Sequence, residues 1–430
     1  MRNSSLILSL GLAGLLSCNN ATIGPNTPAS DLNGLTAVRV EPPDLTLEAT
    51  PGQPATATYK AIGTFPDGDR DITSLATFAV DNAGVGAFAQ AQFQGSLQQG
   101  GDTQVSALAG SLSGRAHLRV HFSATVKVEP SAGAGAPLPA DPSLSFKGTP
   151  TAARAPVLVY PNNGVMLPPN IQSLEVHFLP GTAQNTLFQL SFQSATTNVT
   201  TYTRCGMLVG GGCIFALDPA TYGYVANSNA GGPAVNLMVS GSDDGASGFG
   251  QSAQFQVQFA QENVEGGLYY WTVSNGTGIM RVDFGASSIK PKLFLSPGQN
   301  NFPTCVGCHA ISRDGSKMVS SLGGQGDGRL VYIANLAAPA ASLLTLNGTV
   351  PSSTTNHIQF ASFNPDGSRF VAVYGDTNQA PEVNTLFMHD GKEVFVTFSA
   401  GVTPYRPGER VEEALERADE ALYEAKRTGK

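Results

Sequence analysis

The chain has 430 residues, of which 41% are hydrophobic and only 13% charged, with 49 glycines, 28 prolines and a formal net charge of −8. This length exceeds one ordinary domain, and the hydrophobic content is sufficient for real cores. The Gly and Pro content favours many short strands joined by turns over long helices. Because the chain has no basic footprint, nucleic acid is not expected as a partner.

The N-terminal residues predict export from the cytoplasm. Arg2 precedes an apolar run at residues 6–16 that is too short to cross a bilayer, as in a secretory signal. The stretch "LLSC", which ends at Cys18, resembles the lipobox of bacterial lipoproteins. The resemblance implies cleavage before Cys18 and acylation of its thiol, so residues 1–18 are the expected signal peptide and 19–34 a flexible tether. Localisation would then be at the outer membrane or cell surface, whereas a plain signal peptide with an incidental Cys18 is the alternative.

Residues 35–122 alternate apolar and polar positions, as in "AVRVEPPDLTLEA" and "AHLRVHF", with turn signals between the runs. Half-buried strands at this spacing predict a β-sandwich. The stretch resembles the bacterial Ig-like group 2 modules, which are usually spacers or adhesive units. His117 and His121 should share one face of a strand, and we expect a solvent-facing pair there in preference to a metal site.

Residues 123–156, rich in Pro, Gly and Ala, predict a linker, and 157–290 predict a second sandwich that loosely resembles fibronectin-type or Ig-like folds. Cys205 and Cys213 flank the Gly-rich loop "GMLVGGG", which can fold back on itself. In an oxidising compartment we expect a structural disulfide between them, the alternative being two buried thiols. The only tryptophan, Trp271, is interpreted as a core or edge aromatic in preference to an exposed ligand for glycan or peptide.

The densest chemical motif is "CVGCH", and chance would place a CxxCH in only about one such chain in a thousand. Two thiols followed at once by an imidazole suit covalent haem attachment, with Cys305 and Cys308 as tethers and His309 as the proximal iron ligand. Haem c is therefore the expected cofactor, although the surrounding helices of a cytochrome are lacking. A disulfide or redox pair, another metal such as zinc, and no role remain as alternatives. Downstream candidates for a distal ligand are Met318, His357, Met388 and His389.

An internal repeat follows the motif. "SRDGSKMVSS" at residues 312–321 and "NPDGSRFVAV" at 364–373 share an Asp-Gly turn followed by an alternating strand. The pattern resembles the blades of TolB-type β-propellers. A propeller needs typically four to eight blades, so residues 291–390 are expected to hold the CxxCH loop and an incomplete propeller.

Residues 391–430 change abruptly to a charged composition, and "RVEEALERADEALYEAKRTGK" carries one apolar stripe, which predicts an amphipathic helix. With the preceding "EVFVTFSAGVTPYRPGE", it resembles the last strand and last helix of the GGDEF diguanylate cyclase domain. In complete members, the basic residues at positions corresponding to Lys426 and Lys430 help to hold the nucleotide. The GG(D/E)EF loop, the metal-binding carboxylates and the guanine pocket are missing, so two-metal phosphoryl chemistry is not expected. We interpret this tail as a fusion scar, a frame or assembly artefact, or a chimera.

Together these patterns predict a mostly β, multidomain fold with two sandwiches, an incomplete β-propeller, and a C-terminal strand and amphipathic helix. The expected function is electron transfer by a haem-bearing envelope lipoprotein, and no catalytic residues are identified. One alternative is a non-enzymatic surface binding or adhesion protein in which CVGCH is a structural disulfide. Another is a cyclase-related signalling protein. The expected partners are the membrane, through the lipid anchor, and a redox or surface protein, whereas a nucleotide is not expected.

Overall fold

The computed structural model describes residues 29–130, 135–206, 208–273, 278–286, 289–297, 305–322, 330–339, 343–346, 356–376, 385–389, 406 and 408–428. The chain divides into two compact units, Met1–Val264 (unit 1) and Glu265–Lys430 (unit 2). Strands dominate both units, which confirms the predicted mostly β, multidomain fold.

The first half of unit 1 has short strands joined by turns, followed by two long strands. They are β1 (Ala37–Glu41), β2 (Asp44–Ala49), β3 (Thr56–Thr58), β4 (Lys60–Phe65), β5 (Gly68–Asp71), β6 (Thr77–Val80), β7 (Gly86–Ala89), β8 (Gln92–Gly95), β9 (Gly101–Ala109) and β10 (Leu112–Lys127). Strands β1, β4 and β5 form one small sheet, and β3, β8 and β7 form another. Buried and more exposed residues alternate along β9 and β10, as the sequence pattern predicts for half-buried strands.

The second half of unit 1 adds ten strands and one helix. They are β11 (Val157–Tyr160), β12 (Val165–Leu167), β13 (Glu175–Leu179), β14 (Leu187–Gln193), β15 (Thr197–Thr203), β16 (Leu208–Val209), β17 (Gly212–Ala216), α1 (Pro219–Ser228), β18 (Val235–Ser242), β19 (Gly250–Gln251) and β20 (Phe255–Phe259). Asp218 precedes helix α1 as its N-cap, and its carboxylate accepts hydrogen bonds from the N–H groups of Ala220 and Thr221. This N-cap, with Pro219 at the first helical position, satisfies amides that would otherwise lack partners.

Strand β10 belongs to both halves of unit 1. Its first part pairs antiparallel with β9, and residues 122–127 pair parallel with β15. Val120, Phe122 and Ala124 keep facing one continuous hydrophobic core, so the apolar alternation does not stop at the expected domain end. Residues 123–127, expected to open a linker, therefore continue the strand. The rest of the expected linker is also partly packed, since Leu138 and Arg154 are buried.

Unit 2 begins at residue 265, ahead of the boundary at 290 that the sequence predicted. Its elements are β21 (Gly267–Thr272), β22 (Gly278–Asp283), β23 (Lys292–Leu295), β24 (Val306–Ile311), β25 (Met318–Leu322), β26 (Leu330–Ile333), β27 (Leu343–Leu346), β28 (Asn356–Phe363), β29 (Phe370–Asp376), β30 (Thr385–His389) and helix α2 (Val411–Thr428). The strands form three antiparallel sheets, β21–β23, β24–β27 and β28–β30.

The middle sheet of unit 2 is buried on both faces. Met318 packs in one hydrophobic cluster with Ile279 of β22, while the next residue, Val319, packs in another with Phe370 of β29. Since successive strand residues point to opposite faces, these contacts place the sheet β24–β27 between its two neighbours.

The two Asp-Gly segments adopt the same turn, as the repeat predicts. The N–H of Gly315 donates to the carbonyl of Ser312, and the N–H of Gly367 donates to that of Asn364. Both glycines have positive φ, at 70° and 66°, which a side chain would disfavour. The three sheets follow one another in the chain, and both the incomplete propeller and its TolB-type identity stay predictions.

Helix α2 coincides with the amphipathic helix that the tail predicted. Near its start, the guanidinium of Arg417 bonds the carboxylate of Glu409, which lowers the pKa of that carboxyl group to about 2. In the part of the chain that the structure describes, no helix combines the length and apolarity that a bilayer span requires.

Candidate functional site

The CVGCH motif lies in a bulged strand. In the pairing of β24 with β25, Gly307 is opposite Ser321 and Ala310 is opposite Val319, so two residues of β24 face one residue of β25. The two bulged residues are Cys308 and His309, and such a bulge re-aims side chains at the edge of the hydrogen-bond ladder. Cys308 is exposed and has a positive φ of 44°, whereas Cys305, just before the strand, is half-buried.

Three side chains hold the backbone beside the bulge. The indole Nε1–H of Trp271 donates to the carbonyl oxygen of Val306 at 2.9 Å. The hydroxyls of Ser320 and Ser321, both buried, donate to the carbonyl oxygen of Gly307 at 2.8 and 3.1 Å. A Cβ atom on Gly307 would lie 3.1 Å from Trp271 Nε1, so the indole packs closely on this glycine.

His309 faces the protein. Its Nε2 lies 3.3 Å from the carbonyl oxygen of Tyr269, and burial lowers the pKa of the imidazole. A neutral ring then donates Nε2–H to that carbonyl. The Tyr269 ring packs edge-on against Phe294 and under the guanidinium of Arg281.

These supporting residues could not be found from the sequence, with one partial exception. Trp271 was expected at a core or edge position, and half of its surface is exposed. Ser320 and Ser321 stand at the end of the first repeat, where nothing but the later strand pairing assigns them to the motif.

The haem prediction is wrong. His309 Nε2, expected as the proximal iron ligand, is bonded to the Tyr269 carbonyl, and the motif forms a strand in a packed sheet. Met318, a possible distal ligand, is fully buried in the hydrophobic cluster beneath that sheet. His357 lies on β28, but its side chain is outside the described residues. The alternative of a zinc site is not supported either, since no group of three His, Cys, Asp or Glu residues in the described ranges could hold a metal ion.

The cysteines of the described chain divide into a bonded pair and a free pair. Cys205 and Cys213 form a disulfide with a Cα–Cα distance of 5.3 Å, as the Gly-rich loop predicted. Cys305 and Cys308 are free thiols, so the alternative of a closed CVGC clasp is not what the structure has. Cys18 lies outside the described residues.

His117 and His121 share a face of β10, and each contacts carboxylates. His117 lies between Asp44, 2.9 Å from Nδ1, and Asp102, 3.0 Å from Nε2. The hydrogen bond to Asp44, with a further one to Asp102, raises the pKa of His117. Nδ1 of His121 lies 2.9 Å from Glu48. The arrangement places each imidazole beside carboxylates of neighbouring strands, and within the described ranges it forms no group of three potential metal ligands.

A groove of about 640 Å³ runs along β7, an edge strand of its small sheet. The lining combines small residues of β7 with glutamines on and after β8, whose side-chain amides can donate and accept hydrogen bonds. Among the lining residues are Ala83, Ala87, Ala89, Gln94, Gln98 and Gln99. Sequence reasoning did not find this groove, because "QFQGSLQQGG" resembles an ordinary polar turn.

Residues 377–430 match the family described as "Diguanylate cyclase, GGDEF domain". This agrees with the resemblance that the tail predicted, and it relates the C-terminal segment to cyclase signalling domains. A domain of this kind points to GTP and Mg²⁺ and not to haem. The described residues do not fit a Mg²⁺ site, because they include no cluster of three potential ligands and Glu409 is held by Arg417.

Solved structures resemble the chain only weakly. A chimeric titin Z1Z2 is 9% identical over 53% of this chain and 99% of its own, with a TM-score of 0.17. An ICAM-5 ectodomain fragment is 9% identical over 82% and 75%, also with a TM-score of 0.17. The BSP domain of a biofilm-associated protein is 12% identical over 53% and 30%, with a TM-score of 0.15. These scores are too low to assign a role. No curated protein matches the chain.

Proposed function

We propose that this chain is a non-catalytic binding protein of the bacterial cell envelope, and that the groove along β7 is its binding surface. The observation that carries the proposal is the groove itself. Its volume of about 640 Å³ lies within the range of about 300 to 1,000 Å³ that is common for ligand sites.

The chemistry of the groove favours an extended peptide. An edge strand offers N–H and C=O groups in a repeating row, to which a peptide can add as a further strand. Ala87 and Ala89 are exposed and small, so a peptide backbone can approach β7 closely. Gln94, exposed on the adjoining β8, can bond the polar side chains of such a peptide.

Unit 1 supplies a firm base for this surface. The core beneath the groove includes Phe93 of β8 and Phe78 of β6, which belong to the same hydrophobic cluster as the second half of the unit. Phe88 of β7 contacts both rings at centroid distances of 5.6 and 5.4 Å. A preformed groove loses less conformational entropy on binding than a mobile one.

Panning a phage-displayed library of random peptides against the purified chain tests this proposal. We expect enriched peptides to lose at least about tenfold in affinity when Ala87→Arg fills the groove, a loss equivalent to about 1.4 kcal/mol. Gln251→Arg is the matched control, because Gln251 is exposed on β19, outside the groove lining. A library with no enriched peptides, or equal binding by the two variants, would refute the groove as the binding surface.

The envelope location rests on the N-terminal sequence and has its own test. When the chain is expressed in a Gram-negative host that is fed an alkyne fatty acid, we expect the label in the wild-type protein. Cys18→Ala should abolish it, because the acylated thiol is removed. Labelling that survives Cys18→Ala would contradict the lipoprotein assignment without affecting the groove.

Cyclase-related signalling is the second candidate, and the family match at residues 377–430 is the observation that favours it. Incubation of the chain with GTP and Mg²⁺, followed by mass spectrometry, distinguishes the two. We expect no cyclic dinucleotide, because the loop and carboxylates of the reaction are missing from the sequence. A cyclic product that disappears in Lys426→Ala would overturn the non-catalytic proposal.

A further inference from the structure

We propose that Cys305 and Cys308 form a thiol–disulfide exchange site, in which Cys308 reacts first and Cys305 resolves the mixed disulfide. The order follows from their surroundings. Cys308 is exposed on the bulge, whereas Cys305 is half-buried just ahead of β24. Access to the attacking thiol limits such exchange, so the exposed sulfur meets an external disulfide before the covered one.

The chemistry requires a small-molecule disulfide, RSSR, as the oxidant. The Cys308 thiolate attacks one sulfur of RSSR, which forms a Cys308–SR bond, breaks the S–S bond and releases RS⁻. The Cys305 thiolate then attacks the Cys308 sulfur, forms the Cys305–Cys308 bond and releases the second RS⁻. The two thiol protons end on the two released thiolates, so the chain loses two electrons and RSSR becomes two RSH.

The hydrogen bonds that hold the motif lie on either side of the two bulged residues. Val306 and Gly307, between the two cysteines, have their carbonyls fixed by Trp271 and by two buried serines. Beyond the bulge, Ala310 resumes pairing with Val319. The backbone of Cys308 is therefore the part of the motif that can most readily change conformation. Its left-handed φ is also the least favourable in the motif. The CxxC spacing is the one that redox-active dithiols use.

Tryptophan fluorescence can report the closure of this disulfide ring. Trp271 is the only tryptophan, and its Nε1–H bonds the carbonyl of Val306, the residue next to Cys305. Closing the ring moves or strains this peptide and places a disulfide near the indole. We therefore expect the tryptophan emission of the full chain to change on oxidation and to recover on reduction.

The experiment uses the purified full chain, equilibrated over a range of ratios of oxidised to reduced glutathione. After alkylation of free thiols, mass spectrometry should show a Cys305–Cys308 disulfide that follows the ratio reversibly, in step with the emission of Trp271. Cys305→Ser should accumulate glutathione on Cys308, because the resolving thiol is gone. Cys308→Ser should react at least about tenfold more slowly at Cys305, because that sulfur is half-buried.

The Cys205–Cys213 disulfide is the internal control, and it should stay oxidised across ratios that reduce the second pair. Circular dichroism of both serine variants confirms that they fold. No intramolecular disulfide at any ratio, or first reaction at Cys305, would overturn the proposal. Loss of peptide binding in the groove of unit 1 would leave it untouched, since the two sites share no residue.

Discussion

Replacement of Arg154 by alanine should destabilise unit 1 strongly. The side chain is only 10% exposed, and its guanidinium bonds Asn185, Ser247 and Asp243 at 3.0, 3.0 and 2.9 Å. A hydrogen bond to a charged group contributes about 1.5 to 3 kcal/mol, and removal of one partner of a buried pair costs about 3 to 5 kcal/mol. The Asp243 side chain is 23% exposed, so water can replace part of the hydrogen bonding that it loses. We expect a decrease of about 2 to 4 kcal/mol in the free energy of unfolding.

Urea unfolding followed by circular dichroism measures this change. With a slope of about 3 kcal/mol per molar urea, the midpoint should fall by about 1 M while the slope stays constant. Arg115→Ala is the control, because Arg115 and Asp81 also form an ion pair, at 3.1 Å, but are 63% and 50% exposed. Exposed pairs contribute about 0 to 1 kcal/mol. Equal shifts for the two variants would refute the reasoning that burial makes Arg154 important.

The same network predicts an acid dependence. The Ser247 hydroxyl, and after it Arg154, lower the pKa of Asp243 to about 2. A carboxyl group whose folded pKa lies below its unfolded value stabilises the fold above the unfolded pKa of about 4. That stabilisation is lost as the pH falls through about 2. Between these two pH values, the free energy of unfolding of Arg154→Ala should therefore decrease less than that of the wild-type chain.

Two further predictions concern unit 1. Gly250→Ala should cost at least about 2 kcal/mol, because its Cβ would lie 2.1 Å from the carbonyl carbon of Arg154. Thermal unfolding checks this, with Gly206→Ala, which has open space, as the control that should change little. His117 should titrate above its ordinary pKa, chiefly because of Asp44, so its contribution to stability is full below about pH 6.5 and is lost as the pH rises through the raised value. Nuclear magnetic resonance titration measures that pKa, and an unchanged value in Asp44→Asn would contradict the assigned cause.

Local patterns made the regular elements predictable. The helix at Val411–Thr428 follows from its apolar stripe, and the turns at Gly315 and Gly367 follow from the Asp-Gly pairs. In each case, residues a few positions apart determine the structure. The loop between Cys205 and Cys213 is also determined locally, because its glycines permit the chain to reverse direction.

The environment of the CVGCH motif could not be predicted in this way. A CxxCH spacing is the same before a helix as in a bulged strand, and only distant residues distinguish the two. Trp271 and Ser320 hold the strand from other parts of the sequence, and Tyr269 binds the imidazole of His309. The groove along β7 was missed for a similar reason, since its walls combine two short strands with residues before and after them that only the folded chain brings together.

Strand β10 couples the unfolding of the two halves of unit 1. Melting of the first half would remove one of the two strands that pair with β15, so calorimetry on the intact chain should record a single cooperative transition for both halves. A gene fragment that stops at residue 122 would sever this strand and expose Phe122 and Val120 to water. Domain shuffling would therefore transfer the two halves of unit 1 only together, as one module.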